Sequence, residues 1–252
     1  MRVTEPGPTD LFGETADRAP YVRRMFGDIA SRYDLMNTLM TGGRHHAWRR
    51  LVASLIVRPG DRVVDAGSGT GDLAFACEQA GAEAVLGLDF AASMLDHART
   101  KAAQRGSGAT SFALGDATRL PLADGSVDVW CSAFVVRNIP DLDRALAEAH
   151  RVLRPGGRIG VIEIPRLDSG LLRPLIRLHF ARLVPLLGRL ISGHSSAYQY
   201  LPLSVDHFLT PQEFSQRLRN AGFELREVRV MMLGTVAMHV AERLLDAPGA
   251  GS

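Results

Sequence analysis

The residues from Val63 to Leu73, Val63-Val64-Asp65-Ala66-Gly67-Ser68-Gly69-Thr70-Gly71-Asp72-Leu73, pass from an apolar strand pattern through a Gly-rich turn into a helical pattern. In open α/β sheets ligands sit at the carboxyl ends of strands, and glycine there lets the backbone approach a ligand without a Cβ in the way. A dinucleotide site spaces its glycines G-x-G-x-x-G over a pyrophosphate. Here Gly71 arrives one residue early, and Asp65 and Asp72 bracket the turn. Carboxylates repel a diphosphate and attract an ammonium or a sulfonium. Gly67 and Gly69 with Asp65 therefore favour S-adenosylmethionine over NAD.

Two further acids end strand-like runs. Asp89 closes Leu86-Gly87-Leu88-Asp89, where a carboxylate accepts hydrogen bonds from both hydroxyls of a ribose. Asp116 follows Leu114-Gly115 and can accept from an adenine amino group while the Ala117 N–H donates to the ring; Phe90 and Met94 are placed to pack on the adenine faces. A single Asp at a strand end is most often a solvated turn residue. Three at successive strand ends, the first beside a Gly-rich turn, resemble the S-adenosylmethionine-binding methyltransferase superfamily. Arg151-Val152-Leu153-Arg154-Pro155-Gly156-Gly157, ahead of another strand, fits its later signature.

Three other stretches are more specific. They are Val22 to Asn37, continuing to Gly43, His45, Trp48 and Arg49; Phe134-Val135-Val136-Arg137-Asn138; and Tyr198-Gln199-Tyr200-Leu201-Pro202-Leu203-Ser204. Together they resemble the ubiquinone/menaquinone biosynthesis C-methyltransferase family over about Val22 to His239. The resemblance implies cofactor contacts at Thr70, Asp89 and Asp116-Ala117, and as acceptor demethylmenaquinol or a related polyprenyl quinol. Val135-Val136 replaces the family's usual Gly-Leu, and Ala133 stands where serine is common; both bear on the acceptor. A methyltransferase of a phenolic, terpenoid or polyketide metabolite is the nearest rival, and a non-catalytic S-adenosylmethionine-binding assembly protein a second.

The implied chemistry needs a reduced ring. A ring carbon becomes nucleophilic when a quinol hydroxyl loses its proton, so a base is expected within hydrogen-bond reach. Candidates to orient or deprotonate are Tyr33, Asp34, His45, His194 and Tyr200, with Arg137 and Asn138 holding the quinol oxygens. A lone histidine or tyrosine is more often a packing residue, and Trp48 is expected in the core. Transfer at the sulfonium methyl gains its rate by alignment and requires no metal.

The elements that must position these groups follow from periodicity. Helical spacing of Val22, Met25, Phe26, Ile29, Tyr33 and Met36 puts helices ahead of a region where strands and helices alternate, as in a mainly parallel sheet. Two late strand runs suggest an antiparallel edge. The expected fold is α/β: a Rossmann-like class I methyltransferase with seven strands and helices on both faces. Residues 1–20 read as a flexible tail and 21–252 as one domain, with 168–205 a lid over the acceptor.

Composition adds exclusions. A net charge of +2 creates no global field for nucleic acid. Lys101 is the only lysine, which by itself says nothing of function. Cys77 and Cys131 lack the spacing of a zinc site or disulfide framework, and no long apolar run suggests a leader or a membrane span. A cytoplasmic enzyme is expected, with homodimerisation left open. Segment 171–191 carries Arg173, Arg177, Arg182 and Arg189 among leucines, a composition suited to contact with anionic lipid.

Overall fold

Short apolar runs become strands β1 (Arg62–Ala66), β2 (Ala84–Asp89), β3 (Thr110–Leu114), β4 (Val127–Ala133), β5 (Leu153–Glu163), β6 (Phe223–Met231) and β7 (Val236–Arg243). In the computed structural model, which describes residues 18–167 and 196–245, they form one sheet in the order β3-β2-β1-β4-β5-β7-β6. β1 to β5 pair in parallel; β7 runs antiparallel between β5 and β6. The expected Rossmann-like architecture with an antiparallel edge is what the chain adopts.

Every residue of β4 is buried, as a central parallel strand covered on both faces requires. On one face, α2 (Arg44–Ile56) and α3 (Asp72–Gln79) press Trp48, Val52 and Leu73 onto Val63, Val129 and Cys131. On the other, α5 (Leu142–Val152) and α7 (Pro211–Asn220) press Leu146 and Phe214 onto Val64 and Trp130. Helix α4 (Ala92–Arg105) packs against β2 and β3.

Helix α1 (Ala19–Thr41) instead gathers Val22, Met25, Ile29 and Met36 around Tyr200 of α6 (Ser196–Asp206), across the carboxyl ends of the strands. It begins before Tyr21, because Pro20 sits in the first turn, where its missing N–H has no partner to lose. Gly42 and Gly43, both left-handed, turn the chain from α1 into α2. The last part of the expected lid is α6; residues 168–195, with His194 and the basic segment 171–191, lie outside the described residues. Among the described residues no helix is long and apolar enough to cross a membrane.

Candidate active site

Strand order reverses between β1 and β4, so the crevice for a ligand opens at their carboxyl ends. Gly67 follows β1 at φ +74°, and a Cβ built there would lie 2.3 Å from Val135 Cγ1, so the turn passes the segment after β4 only as glycine. A cavity of about 340 Å³ follows, lined by Gly67, Asp89, Phe90, Asp116, Ala117 and Val135 among others. Asp89 is fixed by backbone donors: Gly69 N–H to Oδ2 at 2.9 Å and Ala91 N–H to Oδ1 at 2.8 Å. Burial raises its pKa in spite of these amides. Asp116 Oδ1 accepts from the Thr118 N–H and hydroxyl, which orients that carboxylate at the rim.

Asp65 is the anomaly of this region. It is 1% exposed, and neither carboxylate oxygen has a donor in good geometry, the Ala74 N–H being the one backbone donor turned towards it. Burial pushes its pKa up to about 7, with Arg49 pulling the other way. A buried carboxylate without a well-aligned donor is costly unless something cationic is supplied. S-adenosylmethionine carries an ammonium and a sulfonium beside a ribose and an adenine; the fixed Asp89 and the cavity between strand ends fit that ligand, while Asp65 lies buried beneath the turn and is not among the residues lining either cavity.

A second cavity, about 90 Å³, is bounded by α1, α2, α6 and the turn after β4, and its walls are apolar apart from Tyr33, Asn37, Thr41, His45, Arg137 and Tyr200. A narrow space joins the two. It shares Phe26, Tyr33 and Phe134 with the apolar cavity, and Gly67, Asp89 and Asn138 with the other. Phe134 turns the chain out of β4 at φ +64°, a left-handed conformation that costs a non-glycine residue about 1–3 kcal/mol. That turn sends its ring into the junction, where the Arg49 guanidinium lies 5.2 Å from the ring centre.

The hydrogen bonds of His45 determine its tautomer. Arg49 can only donate, and its Nη1 lies 2.6 Å from Nδ1, so Nδ1 accepts. Thr38 gives its hydroxyl proton to the Asp34 carbonyl at 2.8 Å, so its oxygen, 3.2 Å from Nε2, accepts from Nε2–H. Burial and the Arg49 charge hold the imidazole pKa down to about 4. His45 is thus a neutral, fully engaged ring that supports the wall and has no spare lone pair for a substrate proton. His45, His46 and Asp72 also converge as a potential metal trio, but Lys101 occupies Asp72 at 2.5 Å and both His45 nitrogens are committed.

Arg137 is likewise committed. Its backbone N–H and Nη1 donate to Glu163 at 3.1 and 2.6 Å, Nη1 also to the Phe134 carbonyl at 2.7 Å, and Nε to Ser204 of α6 at 3.3 Å. Arg137 and Glu163 are both buried, so this pair pins the turn after β4 to β5 and α6. Burial raises the pKa of Tyr33 and of Tyr200, which therefore keep their phenolic protons.

Lys101 carries more than its sequence suggested. Its ammonium meets Asp34 of α1 at 2.8 Å, Asp72 at 2.5 Å and the Thr70 hydroxyl at 3.3 Å, while Thr70 donates to Asp34 at 2.6 Å. Thr70, expected to touch the cofactor, here ties the Gly-rich turn to α1.

Of the acceptor-side candidates, Tyr33, His45, Arg137 and Tyr200 share the apolar cavity, whereas Asn138 stands on the cofactor side and in the junction. Met94, expected to pack on adenine, is buried with Ala30 and Ala91 and reaches only the junction. The substitution at Val135-Val136 does not fall in the apolar cavity: Val135 packs on Gly67 in the cofactor cavity, and Val136 is core. Sequence reading gave no role to Asn37, Arg49 or Lys101 and overlooked Glu163. Glu163 ends β5 and was open to the same strand-end argument as Asp89; Asn37 lies one helical turn from Tyr33.

The chain is similar to known proteins over most of its length. The sequence model of the ubiE/COQ5 methyltransferase family matches residues 14–243. A demethylmenaquinone methyltransferase of Thermus thermophilus is 42% identical over 221 residues, 87% of this chain and 100% of that protein. The ubiquinone/menaquinone biosynthesis C-methyltransferase UbiE of Rhodopseudomonas palustris is 37% identical, covering 96% and 100%. Among solved structures, the [4+2]-cyclase SpnF superposes with a TM-score of 0.67 at 18% identity, covering 89% of this chain and 96% of that one, a likeness of fold.

Proposed function

We propose, since the chain belongs to the ubiE/COQ5 methyltransferase family, that it transfers a methyl group to a ring carbon of a prenylated quinol, converting demethylmenaquinol to menaquinol. The enzyme is an S-adenosylmethionine-dependent methyltransferase. What supports the substrate assignment is the 42% identity with a demethylmenaquinone methyltransferase, over 87% of this chain and all of that protein; an apolar cavity joined to the cofactor cavity supports it too.

S-adenosylmethionine, when bound, supplies an electrophilic methyl group on a sulfonium. Asp89 would hold the ribose hydroxyls, Asp116 and Ala117 the adenine edge, and Phe90 an adenine face. Gly67, Gly69 and Thr70 would receive the amino-acid portion, with Asp65 beneath the turn. On the acceptor side, Tyr33, His45, Arg137 and Tyr200 would shape the pocket for a quinol ring, with Asn138 and Phe134 at the junction. Holding two reactants in line removes much of the entropic barrier, and here the strand ends orient one and helix α1 the other. The acceptor must be reduced, because a quinone carbon is itself electrophilic. Segment 171–191, outside the described residues, is the part we assign to contact with the membrane in which such a quinol dissolves.

One assay tests the reading. Labelled S-adenosylmethionine is offered with reduced demethylmenaquinol, demethoxy-type benzoquinols or simple phenols, in neutral or anionic vesicles. Label is expected on demethylmenaquinol, faster from anionic vesicles; label confined to the phenols overturns the assignment. In calorimetry, Asp89→Ala should weaken S-adenosylhomocysteine binding about 100-fold, since hydrogen bonds to a charged group and the Gly69 tether are lost together.

A further inference from the structure

The polar groups that face the apolar cavity either offer protons or positive charge or are already engaged elsewhere. Tyr33 of α1 keeps its phenolic proton, as does Tyr200 of α6. Arg137, from the turn after β4, brings a guanidinium, and that of Arg49 lies behind Phe134 and His45. His45 of α2 is engaged at both nitrogens, and the Thr41 hydroxyl is given to the Asn37 carbonyl at 2.7 Å. Asp34, beside Tyr33 in sequence, turns its carboxylate to Thr70 and Lys101 instead. Among the described lining residues none is a carboxylate.

One donor in that wall is poorly used. The side-chain amide nitrogen of Asn37 is buried and has no acceptor in good hydrogen-bond geometry; the Tyr33 oxygen, whose ionised form it favours, is the one group it addresses. It lines the cavity one turn along α1 from Tyr33, on the same helix face. A buried amide donor left without a well-aligned acceptor costs up to about 1–3 kcal/mol, so its retention in a mostly apolar wall needs a reason.

We infer that Asn37 is a catalytic residue: its amide donates to a ring oxygen of the acceptor, and the cavity binds that acceptor as its oxyanion. This rests on the reading above of a phenol-like acceptor. The hydroxyl proton leaves to solvent as the acceptor binds, and the anion meets the Asn37 amide, the Tyr33 phenol and the field of Arg137. An oxyanion pushes electron density to the adjacent ring carbons, which is the activation that carbon methylation requires. His45 is then a support for the wall, and the ionisation is driven by stabilising the anion.

The test uses 1-naphthol, whose absorption moves to longer wavelength on ionisation, bound to the full-length enzyme with S-adenosylhomocysteine present. The bound probe should ionise at least about one pH unit below free 1-naphthol in wild type. Asn37→Leu should return the transition towards the free value, and Asn37→Asp, which places a negative charge there, should move it above. Calorimetry should show S-adenosylhomocysteine binding within twofold of wild type in both variants, which separates this effect from misfolding. Turnover in Asn37→Leu should fall about 100-fold, as for loss of one oxyanion donor. An unshifted transition in wild type, an equal shift in wild type and Asn37→Leu, or no binding of 1-naphthol overturns the inference. If demethylmenaquinol is not methylated while the probe behaves as expected, the substrate assignment fails and the role of Asn37 stands for another phenolic acceptor.

Discussion

The two cavities are built from different materials. The cofactor cavity is cut from the ends of parallel strands, and its key carboxylate, Asp89, is clamped by backbone N–H groups of Gly69 and Ala91. The apolar cavity takes from the sheet only the segments leaving β4 and β5, among the described residues; helices α1, α2 and α6 enclose it, and side-chain pairs hold those helices in place. A site made of backbone follows from sheet topology, whereas one made of helix faces follows from packing and buried charge. The acceptor side should therefore be the more sensitive to loss of a single ion pair, and the two sides should respond to pH in opposite senses.

The largest effect is expected at Glu163. Replacing it by leucine strands Arg137 as a buried, unpaired guanidinium, which costs about 3–5 kcal/mol. Urea denaturation should show that loss, and the double change Arg137→Met with Glu163→Leu should recover most of it, because the desolvated charge is then gone as well. A midpoint for Glu163→Leu equal to that of wild type would mean that this pair does not hold the acceptor wall.

Next come Asp65 and His45, one from each region. Asp65, with its pKa raised to about 7, binds its proton more tightly folded than unfolded. Its contribution is present at acid pH and is lost as pH rises to about 7, some 4 kcal/mol in all. His45, held down to about 4, is the reverse. Its contribution is present above the ordinary histidine value and is lost as pH falls through about 4, roughly 3 kcal/mol. Stability relative to wild type should thus rise with pH in Asp65→Asn and fall with pH in His45→Gln, over the window from about pH 4 to pH 7. Differences that slope the same way would break the contrast between the regions.

That contrast also explains what the sequence made legible. Gly67, Asp89 and Asp116 were readable because a strand followed by a Gly-rich turn places its last residues at a known edge of the sheet. The mainly parallel sheet followed from the alternation of strands and helices, and the antiparallel edge from two late strand runs; the order of the strands came only with the structure. The apolar cavity was not readable in this way. Tyr33, His45, Arg137 and Tyr200 come from four separate elements, and only resemblance to a family joined them. Their roles depended on partners that spacing does not encode: Arg49 on His45, Glu163 on Arg137. Lys101 was invisible for the same reason, since its three partners lie 29 to 67 residues away.

Lys101 is the test of whether the regions are separate at all, because it joins them. Its ammonium ties Asp34 of α1, a wall of the apolar cavity, to Thr70 and Asp72 beside the cofactor turn. Asp34 is half-exposed while Asp72 is buried, so solvent screens one arm of the bridge and not the other. Lys101→Met should accordingly cost only about 1–2 kcal/mol, less than a fully buried pair. It leaves Asp34 and Asp72 without their shared cation while Thr70 still donates to Asp34. Amide hydrogen exchange should quicken in α1 around Asp34 and stay slow in β1 and β4, with Lys101→Arg restoring most of the protection. Unchanged exchange in α1 would mean that the helix is held by its contacts with Tyr200 and α4 alone, and that the two cavities meet without being tied together.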